Sequence, residues 1–462
     1  MIEIIRTILG EWDGRELPEV IERSADLVDY IHMEPRKIIV ITGFRRTGKT
    51  YLAYHLIKRL LESEGKSRER VLYVNFEDER IPLETKFLTS LLPTIKKLHT
   101  EQLEFLFLDE IQNIPNWSRW LRRVYDTEEI RFFVTGSSSK MSSREIPTEL
   151  RGRFLEVKIY PLSFREFLQF KDITINEETI EYSEDEKAKL MAALREYLEF
   201  GGMPEVVLAG EGKKAELIHS YYNTVVRRDI IERFKIRNEE SLKALLRLLL
   251  NSTSYTISKL YNNLKSLNFE VGKGTIRSYL SYIENSYFIY SLPLFSFKIK
   301  DQLQYARKVY FTDTAFLNVL SARYSKNSGR LYENLVFIEL RRRQANDPNQ
   351  EIYYWSSQRK EEVDFVLKHG LKVEQLIQVC YDVNDYDTKK RETKALLKAS
   401  KELECNNLVV ITDDYDAVEE INGKRIEFIP LYRWLLRQIK KPQDYTYFHK
   451  KKNNNNIVSV NY

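Results

Sequence analysis

Cysteine is nearly absent from this chain: Cys380 and Cys405 are its only two among 462 residues. That scarcity excludes a disulfide framework and a cysteine-rich zinc site, and it fits a reducing cytoplasm, the location expected here. Histidine is almost as scarce, with six scattered residues and no His-x-x-x-His spacing for a metal. Neither sign of charge dominates, since 73 Lys+Arg stand against 68 Asp+Glu for a net charge of +5. No global basic bias therefore demands nucleic acid, and any such contact must come from a local patch. Long apolar runs are missing as well. No stretch approaches the length of a membrane span, and the first residues, MIEIIRTILGEWDGRE, lack the apolar centre of a signal peptide or anchor. No membrane partner is expected.

What is present begins with GFRRTGKT at residues 43–50. A glycine, four residues, then Gly-Lys-Thr is the phosphate-loop spacing. It follows the strand-like KIIVIT and opens the helix-like YLAYHLIKRLLES, the context that motif needs. Gly43 and Gly48 allow a tight turn that aims backbone N–H groups and a helix N-terminus at phosphates. The loop residues Arg45, Arg46 and Thr47 join them as candidate nucleotide-binding residues. Lys49 would reach the β- and γ-phosphates of ATP, and the Thr50 hydroxyl would ligate Mg²⁺.

A buried-strand run, EFLFLDE, ends in two carboxylates. Parallel sheets place ligands beyond the carboxyl ends of their strands, so Asp109 and Glu110 should face the nucleotide. Asp109 would hold the Mg²⁺ shell and Glu110 would polarise the attacking water. The plainer alternative is an Asp-Glu pair that ends a strand and caps the next helix. A further strand, RFFVTGSSS, ends in Ser137, Ser138 and Ser139, a position suited to sensing a γ-phosphate and equally common in ordinary loops. Arg151 and Arg153 precede the strand-like FLEVKIY and are candidates for an arginine finger; a solvated basic pair is the alternative.

The order of GFRRTGKT, YVNFEDER, FLFLDEIQNIPNW, VTGSSSKM, LRGRFLEVKIYPLSFREF and GGMPEVV resembles AAA+-type P-loop ATPases abundant in archaea. Members of that family carry a winged-helix segment and a further C-terminal domain. The resemblance spans nearly the whole chain apart from the last twenty or so residues. It implies that Lys49 and Thr50 are phosphate-loop residues, Asp109 and Glu110 the acidic strand end, Ser137 the sensor and Arg153 the finger, with Arg151 as its rival.

The expected fold class is α/β, in four parts and a tail. Residues 1–160 form a P-loop ATPase core with a parallel sheet, and residues 161–238 a helical lid that includes Arg227, Arg228 and Asp229. Residues 239–325 read as three helices and two strands, the winged-helix order. Its third helix offers Lys273, Thr275, Arg277 and Tyr279 to DNA, and the basic wing KIKDQLQYARK could reach phosphates; a spacer role between domains is the alternative. Residues 326–438 resemble a restriction-endonuclease-like domain, in which Asp364 and Glu333 match acidic positions. Gln378 and Cys380 stand where Glu and Lys of the Glu-x-Lys motif belong, so cleavage is expected to be lost. Residues 439–462 form a basic, Asn-rich tail expected to be disordered. The expected function is an ATP-driven switch or motor, with DNA and further copies of the chain as candidate partners. An ATP-regulated nuclease and a scaffold without turnover are the alternatives.

Overall fold

The structure is a computed structural model that describes residues 1–136, 148–176, 182–321, 328–359 and 361–437. After helix α1 (Ile2–Asp13), strands β1 (Ile38–Gly43), β2 (Val71–Asn75), β3 (Phe105–Asp109), β4 (Arg131–Gly136) and β5 (Phe154–Ile159) form one sheet in the order β2-β3-β4-β1-β5. Every pairing is parallel. Helices α2 (Lys49–Glu62), α3 (Thr85–Leu98) and α4 (Trp117–Thr127) connect these strands. Because helices cover the sheet, β1 and β3 are buried at every position and read as unbroken apolar runs. On α4 the buried residues Trp117, Trp120, Leu121 and Val124 recur at helical spacing and form one stripe. The five strand runs read from the sequence are these five strands.

The middle of the chain is helical. It comprises α5 (Phe164–Phe170), α6 (Glu184–Phe200), α7 (Pro204–Leu208) and α8 (Glu211–Thr224), which runs on into a π-helix, Val225–Glu232. There follow α9 (Glu239–Leu250), β6 (Ser254–Tyr255), α10 (Ile257–Ser266), α11 (Lys273–Asn285), β7 (Ile289–Leu292), α12 (Ile299–Gln304), β8 (Arg307–Phe311) and α13 (Thr314–Leu320). Strands β6, β8 and β7 make a small antiparallel sheet. Leu242, Leu246, Leu264, Ile283, Phe288 and Phe316 share one apolar core, and Phe44 from the first segment is buried in it.

The last part comprises α14 (Ser328–Asn346), β9 (Gln350–Ser356), β10 (Glu362–His369), β11 (Lys372–Val379), α15 (Tyr386–Glu402), β12 (Leu408–Thr412), β13 (Ala417–Ile421), β14 (Lys424–Pro430) and α16 (Leu431–Leu436). Its mixed sheet runs β13-β14-β12-β11-β10-β9. Alternate residues serve opposite faces. Phe365, Ile377, Val409 and Ile429 join the core that holds α14, while Val366, Leu376, Val410 and Phe428 join the one that holds α15. Among the described residues no helix is long and apolar enough to cross a membrane.

Candidate functional site

Parallel strands bring their carboxyl ends to one edge, and there the loop after β1 meets the ends of β3 and β4. Gly43 has φ +147°, and a Cβ there would lie 2.2 Å from the Ile159 carbonyl oxygen, so the loop can leave β1 only through a glycine. Gly48, at φ +94°, turns the chain into α2. Lys49 begins that helix and is buried. Its ammonium donates to the carbonyls of Phe44 at 3.0 Å and Gly43 at 3.2 Å. Burial pushes the Lys49 pKa down, with the charges of Glu110 and Asp109 opposing.

The Thr50 hydroxyl donates to Asp109 Oδ2 at 2.9 Å. Asp109 also accepts from the Tyr73 hydroxyl at 2.7 Å and from Thr135, so three hydroxyls fix one buried carboxylate. Glu110 sits in the left-handed region at φ +56°, and its N–H donates to the Thr135 carbonyl at 3.1 Å. That turn separates its side chain from that of Asp109, and the Gln112 amide donates to its carboxylate. Burial pushes the Glu110 pKa up to about 7, against the pull of Lys49. One sheet edge therefore carries a buried cation, a hydroxyl–carboxylate pair and a carboxyl group that titrates near neutrality.

A second layer escaped the sequence reading. Arg23 donates to the Thr47 carbonyl at 2.9 Å, the Tyr160 carbonyl at 3.0 Å and Glu166 at 2.8 Å, tying the loop to the segment after β5. Burial opposes ionisation of Glu166, but Arg23 and the Ser163 N–H hold its pKa down to about 2. Ser163 and Glu166 form a capping box on α5, which the spacing Ser-x-x-Glu could have disclosed. Nothing local marks Arg23. Arg45 makes a bidentate pair with Asp229 of the π-helix, both bonds 3.0 Å. Exposed Arg46 points to Glu205, at 3.5 Å, while the Thr47 hydroxyl donates to the Phe44 carbonyl at 2.8 Å.

Arg153 lies at the other edge of the sheet. The register pairs Phe154 with Ile38 and Ile159 with Gly43, which puts Arg153 six residues, about 20 Å, from the level of the loop. It is ion-paired with Asp126 at 2.9 Å, and Arg151 beside it is exposed. Within one chain neither can touch a ligand at Lys49. Ser137 lies outside the described residues, as do Ser138 and Ser139.

The acidic positions of the C-terminal part are not open. Lys308, on β8, is buried with its ammonium 2.7 Å from Asp364, 2.8 Å from Glu333 and 2.6 Å from Glu362. Expected as part of a phosphate-reaching wing, it instead points inward to occupy the centre of this carboxylate group. Tyr310 donates to Glu333 at 2.7 Å, and the Gln378 amide donates to Glu392 at 2.7 Å. Burial pushes Asp364 up, while Lys308 and Tyr310 overcome burial to hold Glu333 below the usual carboxylate range. Among the described residues no group of three or more His, Cys, Asp or Glu is disposed to hold a metal ion. On α11, Lys273, Thr275 and Arg277 are exposed, but Tyr279 is buried and donates to the Asn238 carbonyl. Its expected DNA contact is thereby excluded in this conformation.

Residues 35–168 match the model of a family described as an AAA domain. Residues 191–327 and 328–434 match two families each described as a domain of unknown function. The Methanocaldococcus jannaschii protein MJ1544 is 39% identical over 439 residues, which cover 93% of this chain and 94% of that protein. The chain belongs to that protein's family. A Haemophilus influenzae protein is 28% identical over 405 residues, covering 87% of this chain and 94% of its own. Among solved structures, the Walker-type ATPase of Pyrococcus abyssi aligns with a TM-score of 0.39 at 13% identity, covering 65% of this chain and 98% of that one.

Proposed function

We propose that this family member binds ATP with Mg²⁺ and hydrolyses it, using turnover to move its C-terminal segments as a switch or motor. The observation that carries the reading is Lys49, a buried ammonium at the start of α2, set between a glycine-hinged loop and the carboxylates at the ends of β3. A buried cation that donates to two carbonyls is poorly compensated, and a polyphosphate would supply the missing counter-charge. The N–H groups at the start of α2 add further donors. Thr50 and Asp109 are adjacent hard oxygens of the kind that holds Mg²⁺. When bound there, Mg²⁺ would neutralise charge on the β- and γ-phosphates. Tyr73 and Thr135 keep the Asp109 carboxylate oriented.

Glu110 is the group placed to take the proton of an attacking water, and only its ionised form can do so. With its pKa raised to about 7, kcat/KM for ATP should fall roughly tenfold per unit on the acid side and level off above neutrality. A rate profile that stays flat through about pH 7 would remove Glu110 from this role. By linkage, a carboxyl whose folded pKa is raised contributes stability at low pH that is lost as pH rises through the folded value, so the ligand-free protein should soften as pH rises towards about 7.

The place of Arg153 supports a finger supplied to a neighbouring copy, since its own loop is out of reach. Arg153→Ala should lower turnover with little change in ATP affinity, and wild-type turnover per molecule should rise with protein concentration. Turnover by a strictly monomeric species, independent of concentration, would sink the in-trans role. A winged-helix reading of residues 239–325 is supported by the order α9, β6, α10, α11, β7, β8, with the short α12 inserted between the last two strands, and exposed Lys273, Thr275 and Arg277 favour DNA as partner. The test of the whole proposal is an ATP hydrolysis assay with and without duplex, branched and single-stranded DNA, read beside a mass measurement. Absence of hydrolysis under every condition would leave the scaffold reading.

A further inference from the structure

Three consecutive loop residues are engaged outside the sheet that bears them. The Phe44 ring is 1% exposed and lies 5.5 Å from Phe316 and 6.2 Å from Phe288, inside the core of the middle segment. Arg45 is held by both oxygens of Asp229 on the π-helix. Arg46 reaches Glu205 of α7 and lies 5.8 Å from the ring centre of Tyr221 on α8, whose hydroxyl donates to the same glutamate. The loop is thus gripped by α7, α8, the π-helix and the aromatic core behind them, while the side chains of Thr47 and Lys49 bond back to the Phe44 carbonyl.

Arg45 is the member of this set whose partner can change. Its guanidinium presents a planar fork that fits a carboxylate or a phosphate equally well, and two residues of loop separate it from Gly48. A nucleoside triphosphate in the loop brings more negative charge than one aspartate. The element that would be released is also unusual. Eight residues of π-helix are rare, and such segments are frequent at functional sites. Asp229 lies within it, flanked by Val225, Val226, Ile230 and Ile231, which pack into the core that Phe44 enters.

We propose that Arg45 is a phosphate-responsive residue that a bound nucleoside triphosphate draws away from Asp229, and that the released π-helix and the Phe44 ring carry the change into the middle segment. This rests on the reading of the loop as a triphosphate site. Asp229 and the γ-phosphate then compete for one guanidinium, and linkage fixes the signs. Removing the competitor tightens nucleotide binding; removing Arg45 weakens it and abolishes the communication.

The test measures affinities for a non-hydrolysable ATP analogue and for ADP, with Mg²⁺, using the full chain. Asp229→Asn, nearly the same shape without the charge, should bind the analogue roughly tenfold tighter than wild type. Arg45→Ala should lose affinity for the analogue and much less for ADP. In the double variant the gain from Asp229→Asn should vanish, because its effect passes through Arg45. Amide hydrogen exchange across Val225–Glu232 should rise when the analogue binds wild type and stay unchanged in Arg45→Ala. Weaker analogue binding in a folded Asp229→Asn, or a gain that persists without Arg45, would show that the pair is merely structural and overturn the proposal. Should Asp229→Asn misfold, unchanged exchange in wild type on analogue binding overturns it alone. Failure of wild type to bind either nucleotide would overturn the triphosphate reading itself, and this proposal with it.

Discussion

Lys49→Ala is expected to abolish ATP turnover, and Glu110→Gln to leave ATP bound while slowing hydrolysis by about two to four orders of magnitude. The two residues act at different moments. The Lys49 ammonium is positioned to meet phosphate charge that is present from binding onward and grows in the transition state, so its loss should raise Kd and lower kcat together. Glu110 meets the water only as its proton leaves, so an amide of equal size should spare Kd and act on kcat. The loss with Lys49→Ala should not reflect unfolding. Burial depresses the Lys49 pKa, which means that its charge is a cost to the ligand-free fold, and Lys49→Met should unfold no more readily than wild type. Equilibrium nucleotide titration, single-turnover hydrolysis and thermal unfolding separate these effects. A Glu110→Gln variant with wild-type turnover would remove Glu110 from the mechanism.

Lys308→Met should destabilise the protein by about 3–5 kcal/mol at neutral pH and above. The methionine fills the space of the lysine stem but leaves Asp364, Glu333 and Glu362 without the cation that all three contact. The penalty should grow with pH. Burial already pushes Asp364 up against the pull of Lys308, and without that charge Asp364 and Glu333 both rise further, so protonation at lower pH relieves the repulsion. Urea unfolding on either side of neutrality reads the effect, and a variant equally stable at both would show that the carboxylates do not depend on Lys308. The same lysine bears on cleavage. The wild-type protein should not cut DNA with Mg²⁺ or Mn²⁺, because a tethered ammonium stands among the carboxylates and Gln378 is committed to Glu392. Restoring Gln378→Glu with Cys380→Lys should not by itself restore cleavage while Lys308 remains. Metal-dependent cutting that disappears in Asp364→Ala would overturn this account.

Much of the fold was legible because its signals are local. Buried parallel strands such as β1 and β3 read as short unbroken apolar runs, and the loop between β1 and α2 has its own glycine spacing. The hairpin of β13 and β14 was not read, since AVEEI carries two glutamates and is only partly buried at the sheet edge. Within the sheet edge the sequence distinguished Asp109 from Glu110 by order alone. The three hydroxyls on Asp109 come from positions as far apart as Thr50 and Thr135, which no spacing rule connects.

By itself, then, the sequence determined that a glycine-hinged loop, a following helix and an acidic strand end would lie in one parallel α/β sheet, because each depends on residues adjacent in the chain and on backbone geometry that only certain residues allow. Tertiary structure alone decided the partners of single charged residues. Arg23 joins Glu166 across 143 positions, Arg45 joins Asp229 across 184, and Lys308 joins Asp364 across 56. A lone arginine or lysine has no periodicity to betray its destination, and its charge is satisfied by whichever carboxylate the packing of distant elements brings within reach. The same packing sent Phe44 out of its own sheet and into a neighbouring core, where its burial depends on Phe288 and Phe316 rather than on anything in the loop.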